Sequence, residues 1–162
     1  MATGGAQGLG GARRGQATMG AVKEAVSGVK IQCDAEIPTW FGIGGRADRL
    51  AHPANVDELK ACLREEPNLR ILGDGANLLV DDEGVAELVV SLNTPAFTGW
   101  TFDDKSSRVQ VMAGANLPKL ITEAVRRGRA GLEGLAGIPA TIGGALVMNA
   151  GGAFGQIADS VV

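Results

Sequence analysis

The sequence of 162 residues predicts an α+β fold of two small subdomains with a cleft between them. Short apolar runs typical of strands alternate with segments whose apolar residues recur at helical spacing, so both kinds of element are expected. A turn signal at Asn93–Pro95 follows a predicted strand and divides the elements into two groups. We therefore predict one subdomain at residues 21–94 and a second, incomplete one at residues 95–162.

Residues 1–20 are rich in glycine and alanine and contain no apolar block of the kind found in secretory signals. This composition predicts a disordered tail, because such a segment cannot bury enough apolar surface to fold. The next apolar residues, Val22, Val26 and Val29, are three or four positions apart and predict a short amphipathic helix.

The segment Thr39–Ala51 is predicted to be extended and interrupted by its three glycines. Its large apolar residues Trp40 and Phe41 are expected to be anchors of the core. His52, the single histidine, has neither a second histidine nor a cluster of acids near it in the sequence. Because a metal site needs several such ligands, we predict no metal site here and no catalytic histidine.

A helix is predicted to begin after Asn55, because Glu58 three residues later completes a capping box. The helix ends before Pro67, and its apolar stripe consists of Val56, Leu59 and Leu63. Three apolar runs then predict short strands at Leu69–Leu72, Leu78–Val80 and Glu87–Leu92. The last of these is the strongest strand candidate because it contains two adjacent β-branched residues.

The second group of elements starts with two segments, Thr98–Phe102 and Arg108–Met112, which flank a polar loop and predict a hairpin. Asn116 is predicted to cap a helix whose apolar face is formed by Leu117, Leu120, Ile121, Ala124 and Val125. The last residues, Ala158–Val162, are expected to open a further strand, which is an unusual place for a natural terminus. The sequence is therefore expected to be truncated.

A glycine-containing loop, Gly73–Asn77, follows one of the predicted strands. In this arrangement the N–H groups of a loop can converge on an anion, although the segment also fits an ordinary turn. It matches neither common nucleotide-binding pattern: Leu78 replaces the third glycine of G-x-G-x-x-G, and no Gly-Lys-Ser/Thr follows. Asp74 is expected to point to solvent, because a carboxylate beside a phosphate is unfavourable.

The segment Gly131–Gly155 is the most unusual in composition, with eight glycines among its 25 residues and Glu133 as its only charge. Pro139 is predicted to be the first residue of a short helix. The N–H groups of a first helical turn have no partner within the helix, so proline, which lacks an N–H, is well suited to this position. A helix N-terminus behind a glycine turn suits a phosphate. A tight, buried helix that crosses between two elements explains the same glycines, and both interpretations stay open.

Charge and composition argue against two classes of partner. The formal net charge is −3 and basic residues do not cluster, whereas a nucleic-acid-binding protein needs a cationic face. No apolar run reaches membrane-spanning length, so no membrane partner is expected. Cys33 and Cys62 are far apart and not in metal-binding spacing, and we expect two reduced thiols of a cytoplasmic protein.

Three stretches resemble one enzyme family. GLEGLAGIPATIGGALVMNAGG, from Gly131, resembles the second flavin-binding segment of the UDP-N-acetylenolpyruvoylglucosamine reductases of bacterial peptidoglycan synthesis. TWFGIGGRADRL at Thr39–Leu50 and ILGDGANLLV at Ile71–Val80 match further stretches of that family, in the same order and at compatible spacing. The resemblance covers Ile37 to about Val162 and identifies the chain as a member of this family.

This resemblance implies an FAD-binding domain of the flavoprotein oxidase/reductase type, in which the two glycine segments face each other and hold the pyrophosphate. The implied cofactor-binding residues of the loop are Gly73, Asp74, Gly75, Ala76, Asn77 and Leu78. Those of the second segment are Gly137, Ile138, Pro139, Thr141, Gly143, Gly144, Val147, Asn149 and Gly151. The family usually has serine where this chain has Ala76, so one hydroxyl donor is expected to be missing.

The implied reaction transfers hydride from NADPH through FAD to the enolpyruvyl double bond of a UDP-sugar and yields UDP-N-acetylmuramate. The family protonates the product with a serine, assisted by an arginine and a glutamate, in motifs that no residue of this sequence matches. We therefore predict no catalytic residue here, and expect the flavin-binding half of such an enzyme without its substrate domain.

Three other classes of protein are alternatives to a reductase. A flavin-binding module without catalysis would keep both glycine segments and lack the downstream residues, as this sequence does. Another oxidoreductase of the wider flavoprotein superfamily would be marked by a histidine that binds flavin covalently, and His52 is in no such context. A purely structural interaction domain would not need two glycine segments at this spacing.

Overall fold

The structure, a computed structural model, describes residues 28–162, and the predicted α+β class is confirmed. The predicted tail at residues 1–20 and most of the helix predicted at Val22–Val29 lie outside the described residues. The strands are β1 Ile31–Glu36, β2 Arg46–Ala51, β3 Arg70–Leu72, β4 Val85–Ser91, β5 Trp100–Phe102, β6 Val109–Val111, β7 Gly151–Gly152 and β8 Gly155–Gln156. The helices are α1 Val56–Glu65, α2 Leu117–Arg126 and α3 Ile142–Val147, and short 3₁₀ turns lie at Pro95–Phe97, Glu133–Leu135 and Ile157–Ser160.

A four-stranded mixed sheet with the order β1-β2-β4-β3 forms the first half of the described chain. Strands β1 and β2 are antiparallel, whereas β4 runs parallel to both of its neighbours, β2 and β3. Leu88 and Val90 of β4 are completely buried and form the centre of one core cluster. Phe97 packs into the same cluster, so residues on both sides of Asn93–Pro95 share this core.

Helix α1 begins where its capping box predicts. The Asn55 side chain accepts a hydrogen bond from the Glu58 N–H at 2.9 Å, and the Glu58 carboxylate accepts one from the Ala54 N–H at 2.7 Å. The predicted apolar stripe is only partly right, because Val56 and Leu63 are exposed. The helix buries Ala61 and Cys62 instead, since small side chains let it approach the sheet closely. Burial raises the pKa of the Cys62 thiol, which is consistent with an unreactive core residue.

The strands predicted at Leu69–Leu72 and Glu87–Leu92 are confirmed as β3 and β4, but the strand predicted at Leu78–Val80 is wrong. These three residues form a loop, in which Leu79 is 69% exposed. The loop packs against the backbone of Gly44, where an added Cβ would lie only 2.8 Å from the Val80 Cβ. The apolar run Leu78–Val80 therefore has no strand partner and instead contacts the neighbouring loop.

The prediction that Trp40 and Phe41 are core anchors is also wrong. The two residues are 65% and 59% exposed, on a loop in which the Gly42 N–H donates to the Thr39 hydroxyl at 3.1 Å. Because the glycines that follow pack backbone against backbone on the neighbouring loop, the two aromatic side chains are left on the outside.

The hairpin β5–β6 and helix α2 of the second half are confirmed at their predicted positions. The Asn116 side chain caps α2 by accepting from the Lys119 N–H at 3.1 Å, and the predicted face is buried except for Val125. The strand predicted at Ala158–Val162 is wrong: Ile157–Ser160 is a 3₁₀ turn, capped by the Asp159 carboxylate, which accepts from the Gln156 N–H. No helix in the described residues is long and apolar enough to cross a membrane.

Candidate functional site

The structure brings the two glycine segments into contact. Gly73 follows β3, and its Cα faces Thr141, which precedes α3: a Cβ added to Gly73 would lie 2.5 Å from the Thr141 Oγ1. Of the other residues named from the sequence, Asp74, Gly75, Ala76, Asn77 and Leu78 continue the loop, while Gly137, Ile138 and Pro139 lead to Thr141. Gly143, Gly144 and Val147 lie in α3, Asn149 follows it, and Gly151 lies in β7.

Backbone donors are concentrated in the loop after β3. In residues 28–162, none of the N–H groups from Gly73 to Leu78 donates a hydrogen bond to a protein oxygen. Gly75 has a left-handed conformation with φ of +65°, and an added Cβ would overlap the carbonyl oxygen of Pro38. The loop is therefore shaped by glycine, and its backbone N–H groups are available to an anion.

The N-terminus of the third helix differs from the prediction. The helix begins at Ile142, not at Pro139, because Thr141 takes the capping position. Its first three N–H groups are already bonded: Ile142 donates to Ala115 O at 2.8 Å, Gly143 to Ala113 O at 2.7 Å, and Gly144 to Thr141 Oγ1 at 3.2 Å. With six residues and no free donor in its first turn, α3 is a poor phosphate site, and the loop is the better one.

The two adjacent glycines of α3 have different environments. A Cβ at Gly143 would lie 3.0 Å from the Ala113 carbonyl oxygen, so this glycine permits close packing within the protein. Gly144 is exposed, and an added Cβ would meet only the Thr141 hydroxyl, at 3.2 Å. Val147, three residues later on the same face, is 86% exposed. Gly144 and Val147 thus form an open, apolar strip along α3.

Asn149 and Gly151 support the end of α3. Asn149 has φ of +44°, and the N–H groups of Asn149 and Ala150 donate to Leu146 O and Ala145 O, which is a Schellman motif. The Asn149 amide also donates to the Gln156 side chain at 2.8 Å. A Cβ at Gly151 would lie 2.7 Å from the Gly155 carbonyl oxygen, so β7 and β8 pair closely. The sequence left open whether Asn149 holds the cofactor or its helix, and within the protein its hydrogen bonds support the end of α3.

Asp74 is half-buried, and the prediction that it points to solvent is wrong. Its Oδ2 accepts a hydrogen bond from the Asn116 Nδ2 at 3.3 Å. The sequence identified Asn116 only as a helix cap, since a contact 42 residues away in the chain leaves no local pattern.

The loop that contains Trp40 also lies beside the site, because the Trp40 N–H donates to the Gly75 carbonyl oxygen at 3.1 Å. The sequence motif TWFGIGGRADRL, which contains Trp40, was the signal that could have predicted this position of the loop.

The only charged side chain of the second glycine segment is Glu133. Backbone N–H groups, its own first and then that of Gly131, hold the pKa of Glu133 below its ordinary value.

Comparisons with known proteins agree with this geometry. Residues 47–162 match the family model of the FAD binding domain. The chain is 46% identical over 127 residues to the UDP-N-acetylenolpyruvoylglucosamine reductase of Thermus thermophilus, and 42% identical over 147 residues to that of Moorella thermoacetica. These alignments cover 76% and 86% of this chain but only 43% and 47% of the relatives. The chain thus spans less than half the length of these curated relatives.

Solved structures of two enzymes are also similar to this chain. The UDP-N-acetylenolpyruvylglucosamine reductase from Thermus caldophilus has a TM-score of 0.65 at 43% identity, over 81% of this chain and 46% of that one. Cholesterol oxidase from Brevibacterium sterolicum has a TM-score of 0.58 at 17% identity, over 85% of this chain and 28% of that one, and shares the fold alone. The resemblance stated from the sequence is confirmed. The chain belongs to the FAD-binding domain family and is similar to the UDP-N-acetylenolpyruvoylglucosamine reductases within it.

Proposed function

We propose that this chain is the flavin-binding part of an FAD-dependent reductase that uses NADPH. The proposed reaction converts UDP-N-acetylenolpyruvoylglucosamine to UDP-N-acetylmuramate in peptidoglycan synthesis. The observation that carries the proposal is the loop Gly73–Leu78, whose N–H groups are free in the described chain and which touches the second glycine segment at Thr141. The names of the similar reductases supply the substrate.

The loop fits the pyrophosphate of FAD by charge and by shape. A pyrophosphate carries negative charge and accepts several hydrogen bonds, and charge-assisted bonds to N–H groups are stronger than neutral ones. Gly73 and Gly75 have no side chain that could cover these N–H groups. We propose that residues Gly73 to Leu78 bind the pyrophosphate mainly through their backbone.

The second segment has two kinds of proposed role. Gly144 and Val147 form the open strip of α3 and would contact the cofactor directly, together with the exposed Pro139. Gly143, Asn149 and Gly151 would act indirectly, because their contacts are within the protein and fix the backbone. Gly137, with φ of +86°, and the partly buried Ile138 shape the turn before α3.

Bound FAD would supply the hydride acceptor and donor of the reaction. The residues of this chain would bind and orient that group, whereas none of them is assigned to the substrate or to proton transfer. Both cysteines are free thiols in the structure, and a nucleotide-sugar substrate fits the same reducing compartment. We therefore place the reaction in the cytoplasm.

A turnover experiment tests the division between binding and catalysis. The chain is incubated with FAD, NADPH and UDP-N-acetylenolpyruvoylglucosamine, and UDP-N-acetylmuramate is measured by mass spectrometry. We expect no product above background, because general acid catalysis alone typically contributes about 10²–10⁴-fold and electrostatic stabilisation adds a comparable factor. Product at a rate near that of a full-length relative would show that the catalytic groups lie in this chain, contrary to the proposal.

A single substitution tests the role of the loop. Ala76→Ser introduces the hydroxyl that the resemblance implies is missing, and should tighten FAD binding by about 1.5–3 kcal/mol, the net value of one hydrogen bond to a charged group. Fluorescence titration gives the dissociation constants of both proteins. Ala86→Ser, at an exposed position of β4, is the control and should leave the affinity unchanged. Equal or weaker binding by Ala76→Ser would mean that this position does not face the pyrophosphate.

A further inference from the structure

We infer that the hydrogen bond between Asp74 and Asn116 is a positioning contact, which holds the Gly73–Leu78 loop at the distance from α3 that the cofactor needs. The inference rests on the proposed function. It gives Asp74 and Asn116 a positioning role, which neither glycine segment's resemblance assigns to them. The Asn116 Nδ2 donates to the Asp74 Oδ2 at 3.3 Å, across 42 residues of sequence.

Asn116 lies where three segments of the site meet. Its backbone is bridged to that of Thr141: the Leu117 N–H donates to Ala140 O at 2.9 Å and the Ile142 N–H donates to Ala115 O at 2.8 Å. Its side-chain oxygen is already used to cap α2, so its NH₂ group is left to face the loop. The Asn116 side chain thus contacts the loop, while the backbone around Asn116 fixes the starts of α2 and α3.

The loop has few other attachments to the second half of the molecule. Among the described residues, the Asp74–Asn116 bond is the only side-chain hydrogen bond that the loop makes. The other close contact between the loop and the second half of the described chain is that of Gly73 with the Thr141 hydroxyl. The loop is also held on its other side by the Trp40 N–H, which donates to Gly75 O, so these two contacts set its position relative to α2 and α3.

The contact also explains how a carboxylate can lie in a loop that binds an anion. The N-terminus of α2, a helix of ten residues, carries partial positive charge, which favours a carboxylate beside its cap. The Asn116 amide directs the Asp74 carboxylate towards this helix end. Asparagine at position 74 would keep an acceptor for the Asn116 amide and remove the negative charge. This substitution therefore separates the effect of the hydrogen bond on FAD binding from the effect of the charge.

Four variants test the inference: Asp74→Ala, Asp74→Asn, Asn116→Ser and the double variant Asp74→Ala/Asn116→Ser. Serine at 116 keeps a capping side chain for α2 but removes the amide donor. FAD dissociation constants are measured by fluorescence titration of each protein. The control is Asp82→Ala, which removes the same charge from an exposed position in the following loop.

Asn116→Ser should weaken FAD binding about fivefold, which corresponds to one hydrogen bond, and Asp74→Ala should bind FAD about fivefold more weakly than Asp74→Asn, which has lost the same charge. In a protein that already carries Asp74→Ala, Asn116→Ser should cause no further loss of affinity, because the interaction is already absent. Asp74→Asn should bind FAD at least as tightly as the unmodified chain, and Asp82→Ala should bind it equally. Equal affinities of Asp74→Ala and Asp74→Asn, or effects that multiply in the double variant, would overturn the inference.

Thermal unfolding without flavin separates this inference from the proposed function. If the unmodified chain does not bind FAD, the proposed function fails, but the contact itself is still tested by the unfolding midpoints. The double variant should then have the midpoint of the less stable single variant. Midpoint shifts that add would show that Asp74 and Asn116 do not interact, and the inference would fail independently of FAD.

Discussion

Gly75→Ala is expected to lower the free energy of unfolding by roughly 3 kcal/mol or more and to abolish tight FAD binding. Two effects combine: a left-handed conformation costs an L-residue about 1–2 kcal/mol, and overpacking typically adds about 1–3 kcal/mol. Gly75 has φ of +65°, and an added Cβ would overlap Pro38 O and lie 2.9 Å from the Thr39 Cα. The loop would have to move away from Pro38, and the N–H groups proposed to bind the pyrophosphate would move with it.

The matched control for this variant is Gly128→Ala. Gly128 also has φ of +65°, but no atom lies within 4 Å of its added Cβ. The control should therefore lose only about 1 kcal/mol of stability and none of its FAD affinity. Chemical denaturation and fluorescence titration of both variants give the comparison. Equal losses of stability would show that the contact with Pro38 is relieved without displacing the loop.

Gly144→Leu is expected to weaken FAD binding more than tenfold while leaving the stability of the flavin-free protein nearly unchanged. The leucine side chain would extend from the exposed side of α3 into the space proposed for the cofactor. Because leucine favours helix over glycine by about 0.5–1 kcal/mol, this substitution does not weaken the helix itself. Thermal melts without flavin and FAD titrations measure the two effects separately.

Gly143→Leu, one residue earlier, should show the opposite pattern. Its side chain would collide with Ala113, whose Cβ lies 3.1 Å from the added Cβ, and overpacking of this kind costs about 1–3 kcal/mol. The protein should therefore melt at a lower temperature, and any loss of FAD affinity should follow from that. If Gly144→Leu destabilises the protein and binds FAD normally, the open strip of α3 is not part of the site.

Elements with local signals were predictable from the sequence. Helices α1 and α2 have capping asparagines and regular apolar spacing, and β4 has adjacent β-branched residues, so all three were found. Strand β1 was not predicted, although its apolar Ile31, Cys33 and Ala35 alternate with polar residues, which is the period of a half-buried strand. Asp34 interrupts the strand with φ of +48°. Its place at the sheet edge comes from pairing with β2, which is tertiary information.

The site was predictable where glycine is concentrated and not where it depends on long-range contacts. Glycine density located both segments, but the sequence could not show that the first N–H groups of α3 bond to Ala113, Ala115 and Thr141. It therefore assigned part of the phosphate binding to the helix, whose first N–H groups are bonded within the protein. The exposure of Trp40 and the contact of Asp74 likewise depend on neighbours that are distant in sequence.

The central claim, that the Gly73–Leu78 loop binds a pyrophosphate, is tested most directly by competition. The chain is saturated with FAD, and ADP or adenosine is added while the release of flavin is followed by fluorescence. ADP carries the diphosphate and should displace FAD, whereas adenosine should compete at least tenfold more weakly, which corresponds to about 1.4 kcal/mol. Rising salt should weaken the binding of FAD and of ADP, which share the diphosphate, more than the binding of adenosine. Equal competition by adenosine and ADP would contradict a phosphate site in this loop.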